Sequence, residues 1–261
     1  MSQPEVCVLK FDGVNCDEET AYAFEVARGT PEIVHVNELR AGSKRLKDYP
    51  ILALAGGFSY GDDIHSGQVA ANELTSYLAD ELHEFVTDGK PILGICNGAQ
   101  ILTRTGLVPN AEVDKQAVTL ADNDSACFEC RWVELAVPPS NVSKFVNPKD
   151  FEGVTVPMQI AHAEGKLTGS KELITQLATN RQVVFEYATP LGTPTDTYPA
   201  NPNGSMGNIA ALTDPSGLIL SIMPHPERSI VGMHPDRDRT AAARQAGEAI
   251  FRNIVNYAKD S

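Results

Sequence analysis

The chain has 261 residues, 42% of them hydrophobic, with a formal net charge of -13 and an isoelectric point near 4.8. A chain of this size buries about three quarters of its unfolded surface, so a full core forms without disulfide or metal staples. The acidity argues against a nucleic-acid footprint, which needs clustered lysine and arginine, and no apolar run approaches the roughly 20 residues that cross a bilayer.

Val6 to Phe11 reads as the first strand. Asn15 is placed to cap the helix that follows, with Glu18 as its capping-box partner and Ala21, Phe24 and Ala27 or Arg28 at helical spacing. Ile33 to Val36 reads as strand, and Ile51 to Ala55 is continuously apolar, as a central strand of a parallel sheet is. The segment through Val69, Leu74, Leu78, Leu82 and Phe85 is amphipathic, and Gly89 stops it. Lys90 to Leu102 then passes from a strand pattern straight into a helical one. After Val108-Pro109 the pattern turns β-rich, with strands over Arg131 to Val137 and Val183 to Tyr187. A hairpin at Asp214-Pro215-Ser216-Gly217 leads to the strand before His225. Thr189 to Gly207, rich in Pro, Gly, Thr and Asn, is too long for an ordinary turn and reads as a functional loop or lid. Thr240 to Ala258 closes the chain as a helix. Alternating strands and helices predict an α/β architecture with a mostly parallel sheet covered on both faces, in a single domain over residues 1–261.

The chemistry concentrates at Gly94-Ile95-Cys96-Asn97-Gly98, which has the spacing of a nucleophile elbow. Small residues two before and two after the nucleophile let a strained strand-to-helix turn close. Cys96 then projects from the carboxyl edge of the sheet, where the positive end of the next helix favours the reactive thiolate. The opposing reading is a buried cysteine packed as a small hydrophobe. A thiol nucleophile needs a base. In Met223-Pro224-His225-Pro226-Glu227 the prolines hold the chain extended, so His225 and Glu227 face one side and the carboxylate orients the imidazole. His162, in His162-Ala163-Glu164, makes the same kind of pair and competes for the role. Amides of the Gly56-Gly57 loop, with the N–H of Asn97, are candidates to hold a tetrahedral oxyanion.

Six ordered motifs carry a resemblance that covers most of the chain. They are Asp12-Gly13-Val14-Asn15-Cys16-Asp17, Gly56 to Asp62, Gly94 to Gln100, Ala161 to Gly165, Asn201 to Ser205 and Met223 to Arg228. The set resembles the class I glutamine amidotransferases, and within them the glutaminase subunits of phosphoribosylformylglycinamidine synthase. The resemblance implies a flavodoxin-like three-layer sandwich, with Cys96 as nucleophile, His225 as base and Glu227 as the orienting carboxylate. It also implies oxyanion donors at Gly57 and Asn97, and a contact from Gln100 to bound L-glutamine. It chooses His225 over His162, because the family keeps its base in the Pro-His-Pro-Glu element. The partners it implies are a large ATP- and magnesium-using synthetase subunit and a small bridging subunit, together making formylglycinamidine ribonucleotide in purine biosynthesis. The chain itself is then expected to hold no cofactor. Two departures, at Ile64-His65-Ser66-Gly67 and at Ala163, bear on partner contacts more than on the chemistry.

The rival reading is a stand-alone cysteine hydrolase of the same fold, such as a gamma-glutamyl hydrolase or a peptidase-like enzyme. A non-catalytic binding subunit fits less well, since Cys96, His225 and Glu227 are all intact. Cys127-Phe128-Glu129-Cys130 has metal-ligand spacing, but in a strand residues three apart face opposite sides. No Gly-x-x-x-x-Gly-Lys-Ser/Thr cradle for ATP occurs. Asn203-Gly204-Ser205 and Asn141-Val142-Ser143 fit the glycosylation pattern and carry no weight without a secretory signal. The odd cysteine count, at 7, 16, 96, 127 and 130, and an amino terminus without a basic, then apolar, leader pattern point to a reducing cytoplasm.

Overall fold

The computed structural model describes residues 3–151, 155–232 and 234–260. In chain order the strands are β1 (Glu5–Lys10), β2 (Thr30–His35), β3 (Ile51–Leu54), β4 (Ile92–Ile95), β5 (Thr119–Asp122), β6 (Glu129–Ala136), β7 (Val156–His162), β8 (Glu164–Thr168), β9 (Val183–Ala188), β10 (Ile209–Thr213) and β11 (Ile219–Ile222). The helices are α1 (Asp17–Val26), α2 (Val36–Arg40), α3 (Gln68–Tyr77), α4 (Ala79–Thr87), α5 (Asn97–Arg104), α6 (Leu107–Asn110), α7 (Lys171–Thr179), α8 (Arg228–Val231) and α9 (Arg237–Asp260).

One nine-stranded sheet runs in the order β2-β1-β3-β4-β11-β10-β9-β6-β7, and β5 pairs with β8 in a separate ribbon. The first five strands of that order are parallel and form the α/β core. From β10 onward the pairing is antiparallel, which the β-rich second half of the chain leads one to expect. The central strands β3, β4 and β11 are buried along their whole length, so their unbroken apolar runs follow from helices lying on both faces. Helices α1 and α9 cover one face, joined by the Phe24 and Phe251 rings edge to face at 4.9 Å. Helix α5 covers the other, against β3, β4 and β11, with α3 and α6 beside it. No helix of the described residues is long and apolar enough to cross a membrane.

Several boundaries differ from the sequence reading for tertiary reasons. Cys16, not Asn15, stands at the N-cap of α1, and no side chain caps that helix. The Cys16 N–H donates to the Gly56 carbonyl at 3.1 Å, so the entry to α1 is shaped by the loop after β3 rather than by a capping box. The amphipathic stretch expected as one helix divides into α3 and α4, because Leu78 leaves the helical region (φ -124°, ψ 13°). The Asp214 turn is as expected: its carboxylate accepts from the N–H groups of Ser216, Leu218 and Ile219, and Gly217 takes φ +80°.

The closest approach in the core is made at Gly98, in the first turn of α5. A Cβ there would lie 2.0 Å from the Leu54 carbonyl oxygen, and one at Gly94 would lie 2.7 Å from the Gly98 carbonyl oxygen. Both obstacles are backbone, which cannot rotate away. Gly98→Ala should therefore push α5 off β3 and destabilise the protein by about 3 kcal/mol. A urea unfolding midpoint equal to that of the parent protein would show that the helix moves at no cost.

Candidate active site

Three chain segments converge at the carboxyl edge of the parallel strands, where open α/β sheets place their ligands. Strand β4 delivers Cys96, the loop after β3 delivers Gly56 and Gly57, and the segment after β11 delivers His225 and Glu227. Cys96 sits at φ +49°, ψ -104°, a strained conformation for a residue with a side chain. Its N–H donates to Ile222 O at 2.8 Å, and its thiol faces Ala161 O at 3.6 Å. The strain is held by the sheet on one side and the start of α5 on the other.

His225 is buried and reached in extended backbone: its N–H donates to Gln159 O at 2.7 Å, and Met223 N–H donates to Ala210 O at 3.1 Å. Nδ1 of His225 lies 2.5 Å from Glu227 Oε1, and both side chains are almost wholly removed from solvent. Nε2 makes no aligned hydrogen bond to the protein, while the ring interacts with the sulfurs of both Cys96 and Cys16. Burial disfavours charge on this imidazole, but the Glu227 carboxylate, then Cys96 and the contacts to both thiols, outweigh it and raise the pKa well above the usual value. His225 is thus set to hold a proton beside Cys96.

His162 is in a different state. It is buried, its Nδ1 lies 3.1 Å from Asn123 Oδ1, and Gly165 packs so closely that a Cβ there would be 2.2 Å from the ring. Burial, with the nearby His225 adding to it, pushes its pKa down to about 3. No carboxylate is hydrogen-bonded to it: Glu164, its sequence partner, instead accepts from the Ser66 N–H at 3.2 Å and pairs with Arg104 at 3.5 Å. The two His-x-Glu patterns therefore have different outcomes, one an oriented pair and the other a neutral core histidine.

Gly57 takes φ +146°, and a Cβ on it would meet Val14 Cα and Asn15 N at 2.7 Å. The loop after β1 is zipped onto it, with Phe58 N–H donating to Gly13 O at 3.1 Å and Tyr60 N–H to Asp12 O at 2.7 Å. Asn97 and Gln100 lie on α5. The Asn97 side chain accepts from Ser59 N–H at 3.2 Å and donates to Gln100 Oε1 at 2.9 Å, tying the elbow to the glycine loop. Gln100 is 3% exposed, and its amide donates to Glu164 O at 2.6 Å, so both ends of this side chain are engaged by protein groups.

A cavity of about 70 Å³ opens beside the thiol, lined by Asn15, Cys16, Gly57, Cys96, His225 and Arg228, with Phe58 and Phe128 at its exposed rim. Of these, Cys16 and Arg228 were quoted in the sequence motifs without a role. Arg228 Nη2 lies 3.2 Å from Cys16 Sγ, and its Nε lies 4.0 Å from Glu227 Oε1. Among the described residues, Cys16, His225 and Glu227 are the group whose donor atoms lie within 4.8 Å of one another, but an adjacent guanidinium opposes a cation there. Cys127 and Cys130 are exposed, free thiols before and within β6.

The loop of residues 189–207 divides in two. Its second half is a buried polar knot: Asn203 Nδ2 donates to Gly165 O at 2.9 Å and to the Tyr187 hydroxyl at 3.1 Å, and Ser205 Oγ accepts from Leu167 N–H at 3.0 Å. The first half holds Leu191 and Tyr198 in solvent.

Comparison with known proteins follows the same outline. A family model described as a CobB/CobQ-like glutamine amidotransferase domain matches residues 3–258. The chain is 42% identical over 261 residues to the phosphoribosylformylglycinamidine synthase subunit PurQ of Dehalococcoides mccartyi, covering 99% of each. It is 40% identical over 269 residues to that of Methanococcus maripaludis, covering 97% of each. Among solved structures it is similar to a chain of PurLQS from Thermotoga maritima (32% identity, TM-score 0.73, 98% and 99% covered). A glutamine amidotransferase from Thermotoga maritima, 12% identical with a TM-score of 0.57, shares the fold.

Proposed function

The chain belongs to the CobB/CobQ-like glutamine amidotransferase family, and from that we propose that it is the glutaminase subunit of phosphoribosylformylglycinamidine synthase. The observation that carries the chemistry is the buried His225–Glu227 pair, lining one small cavity with the strained Cys96. We read residues 1–261 as one domain with a single active site.

L-Glutamine enters with its carboxamide against Cys96. The thiolate attacks the amide carbon, and the oxyanion that forms is held by the N–H groups of Gly57 and Asn97, each worth about 3 kcal/mol in such sites. His225, protonated and oriented by Glu227, gives its proton to the leaving nitrogen, and ammonia departs from a glutamyl thioester. Water, deprotonated by the now neutral His225, releases glutamate and restores the thiol. Gln100 holds Asn97 from behind the elbow and is the residue assigned to contact bound glutamine. The ammonia is used by a large synthetase subunit that spends ATP with magnesium, joined through a small bridging subunit, to convert formylglycinamide ribonucleotide to the amidine. The half of the 189–207 loop that remains exposed is available for that assembly.

Glutamate release tests the reading. The purified chain alone, and then with synthetase subunits, ATP and formylglycinamide ribonucleotide, is expected to show glutaminase activity at least tenfold higher in the full mixture (about 1.4 kcal/mol). Equal turnover with and without partners would instead identify a self-sufficient hydrolase.

A further inference from the structure

We infer that Cys16 is a resolving thiol for Cys96, so that oxidation of the active site by a peroxide ends in a Cys16–Cys96 disulfide that reductant reverses. The inference rests on the reading of Cys96 as the nucleophile.

Two cysteines share one small cavity, and a single imidazole touches both sulfurs. Their meeting point is Gly56. A Cβ built there would lie 3.5 Å from Cys16 Sγ, 3.5 Å from Cys96 Cβ and 3.0 Å from His225 Cε1. Glycine leaves that space free of a side chain, and both cysteines line the same cavity. Cys16 is anchored for this role by its N–H on Gly56 O, and the Arg228 guanidinium at 3.2 Å places a positive charge against its sulfur. No step assigned above to glutamine hydrolysis uses Cys16.

The other thiols lack this setting. Cys7 is wholly buried in the core, and burial pushes its thiol far up. Cys127 and Cys130 are exposed and carry no positive charge among their described contacts.

The chemistry balances with a hydroperoxide as the oxidant. The Cys96 thiolate attacks one peroxide oxygen and is oxidised to the sulfenic acid as the O–O bond breaks, and the leaving hydroxide takes the proton of His225 to depart as water, which leaves the imidazole neutral. The Cys16 sulfur, losing its proton to His225, then attacks the Cys96 sulfur, and the sulfenic oxygen leaves as water. Two thiols lose two electrons, and one hydrogen peroxide becomes two waters. Without Cys16, a second peroxide carries Cys96 to the sulfinic acid, which dithiothreitol does not reduce.

The test is prolonged exposure of the purified chain to hydrogen peroxide, alkylation of the remaining thiols, and non-reducing peptide mapping. A Cys16–Cys96 linked peptide is expected. Glutaminase activity, assayed in the synthetase complex, should return with dithiothreitol. In Cys16→Ser the recoverable fraction of that variant's own starting activity should fall at least about fivefold. The inference is overturned if parent Cys96 becomes sulfinic with Cys16 still free, if it links to Cys127 or Cys130, or if Cys16→Ser recovers as the parent does. Should Cys16→Ser not fold, the parent map alone decides. A diazo ketone analogue of glutamine separates this from the catalytic reading: failure to label unoxidised Cys96 would sink the nucleophile assignment and leave an observed disulfide standing.

Discussion

Cys96→Ala is expected to abolish glutamine-dependent amidine synthesis, by about 10⁴-fold or more, while ammonia-dependent synthesis by the assembled complex stays within about twofold. In the proposed mechanism the two activities divide, because attack by Cys96 is what expels ammonia from glutamine, whereas the acceptor would be activated on a separate synthetase subunit. The substitution is also gentle on the fold. Cys96 already stands at φ +49°, held by its N–H on Ile222 O and by the packing of α5, and alanine keeps both. Removing one sulfur from the edge of a cavity of about 70 Å³ leaves the elbow in place. Continued use of glutamine by the variant would exclude Cys96 as nucleophile, and loss of both activities would indicate that the variant no longer assembles.

His225→Asn is expected to lower glutamine turnover by about 10³- to 10⁴-fold, with His162→Asn staying within about tenfold of the parent. Asparagine offers hydrogen bonds but no titratable nitrogen, so the ion pair with Cys96 and the proton for leaving ammonia are both lost. It also leaves the buried Glu227 carboxylate without its partner at 2.5 Å, a cost that falls on stability as well as rate. His162 is held neutral by burial and turned toward Asn123, so its replacement removes a hydrogen bond and some packing but no proton carrier. Measured as kcat in the same complex, the reverse ranking would transfer the base role to His162. The sign of the pH effect follows from the same geometry. The His225 pKa is raised when Glu227 and Cys96 are in place, so its proton is held to higher pH than on an ordinary imidazole and is lost as the pH climbs through that raised value.

How much of this was legible before folding differs from residue to residue. The elbow could be read because its constraint is local: Gly94 and Gly98 flank the nucleophile at the spacing that a tight strand-to-helix turn requires. The structure shows the physical reason, a Cβ at Gly98 running into Leu54 O. The prolines around His225 predict an extended segment with His225 and Glu227 on one side; the two side chains are paired, but the chain turns at Pro226 and Glu227, with Glu227 at φ -63°, ψ -37°, so a turn and not extended alternation brings them together. The helix cap at Asn15 failed because the competitor was not local. Cys16 at the N-cap is bonded to Gly56, some forty residues away in the chain, and no pattern around Asn15 announces that partner. Leu78 shows the same limit, since the apolar spacing from Val69 to Phe85 is continuous even though the backbone breaks into α3 and α4.

The family, the α/β class and the candidacy of Cys96, His225 and Glu227 could be read from the order and spacing of residues along the chain, because each depends on backbone demands made within a few positions. Local pattern alone leaves His162 and His225 as rival candidates for the base, a choice that only the resemblance makes at the level of sequence, and the fold gives the two rings different surroundings. Both are buried, and their difference comes from which carboxylate reaches the ring: Glu227 lies 2.5 Å from one, while Glu164 is drawn away to Ser66 and Arg104. The same holds for Cys16 and Arg228, distant in sequence and 3.2 Å apart in the fold, which meet at the Cys96 cavity only when β1, β3, β4 and β11 are assembled in that order in one sheet.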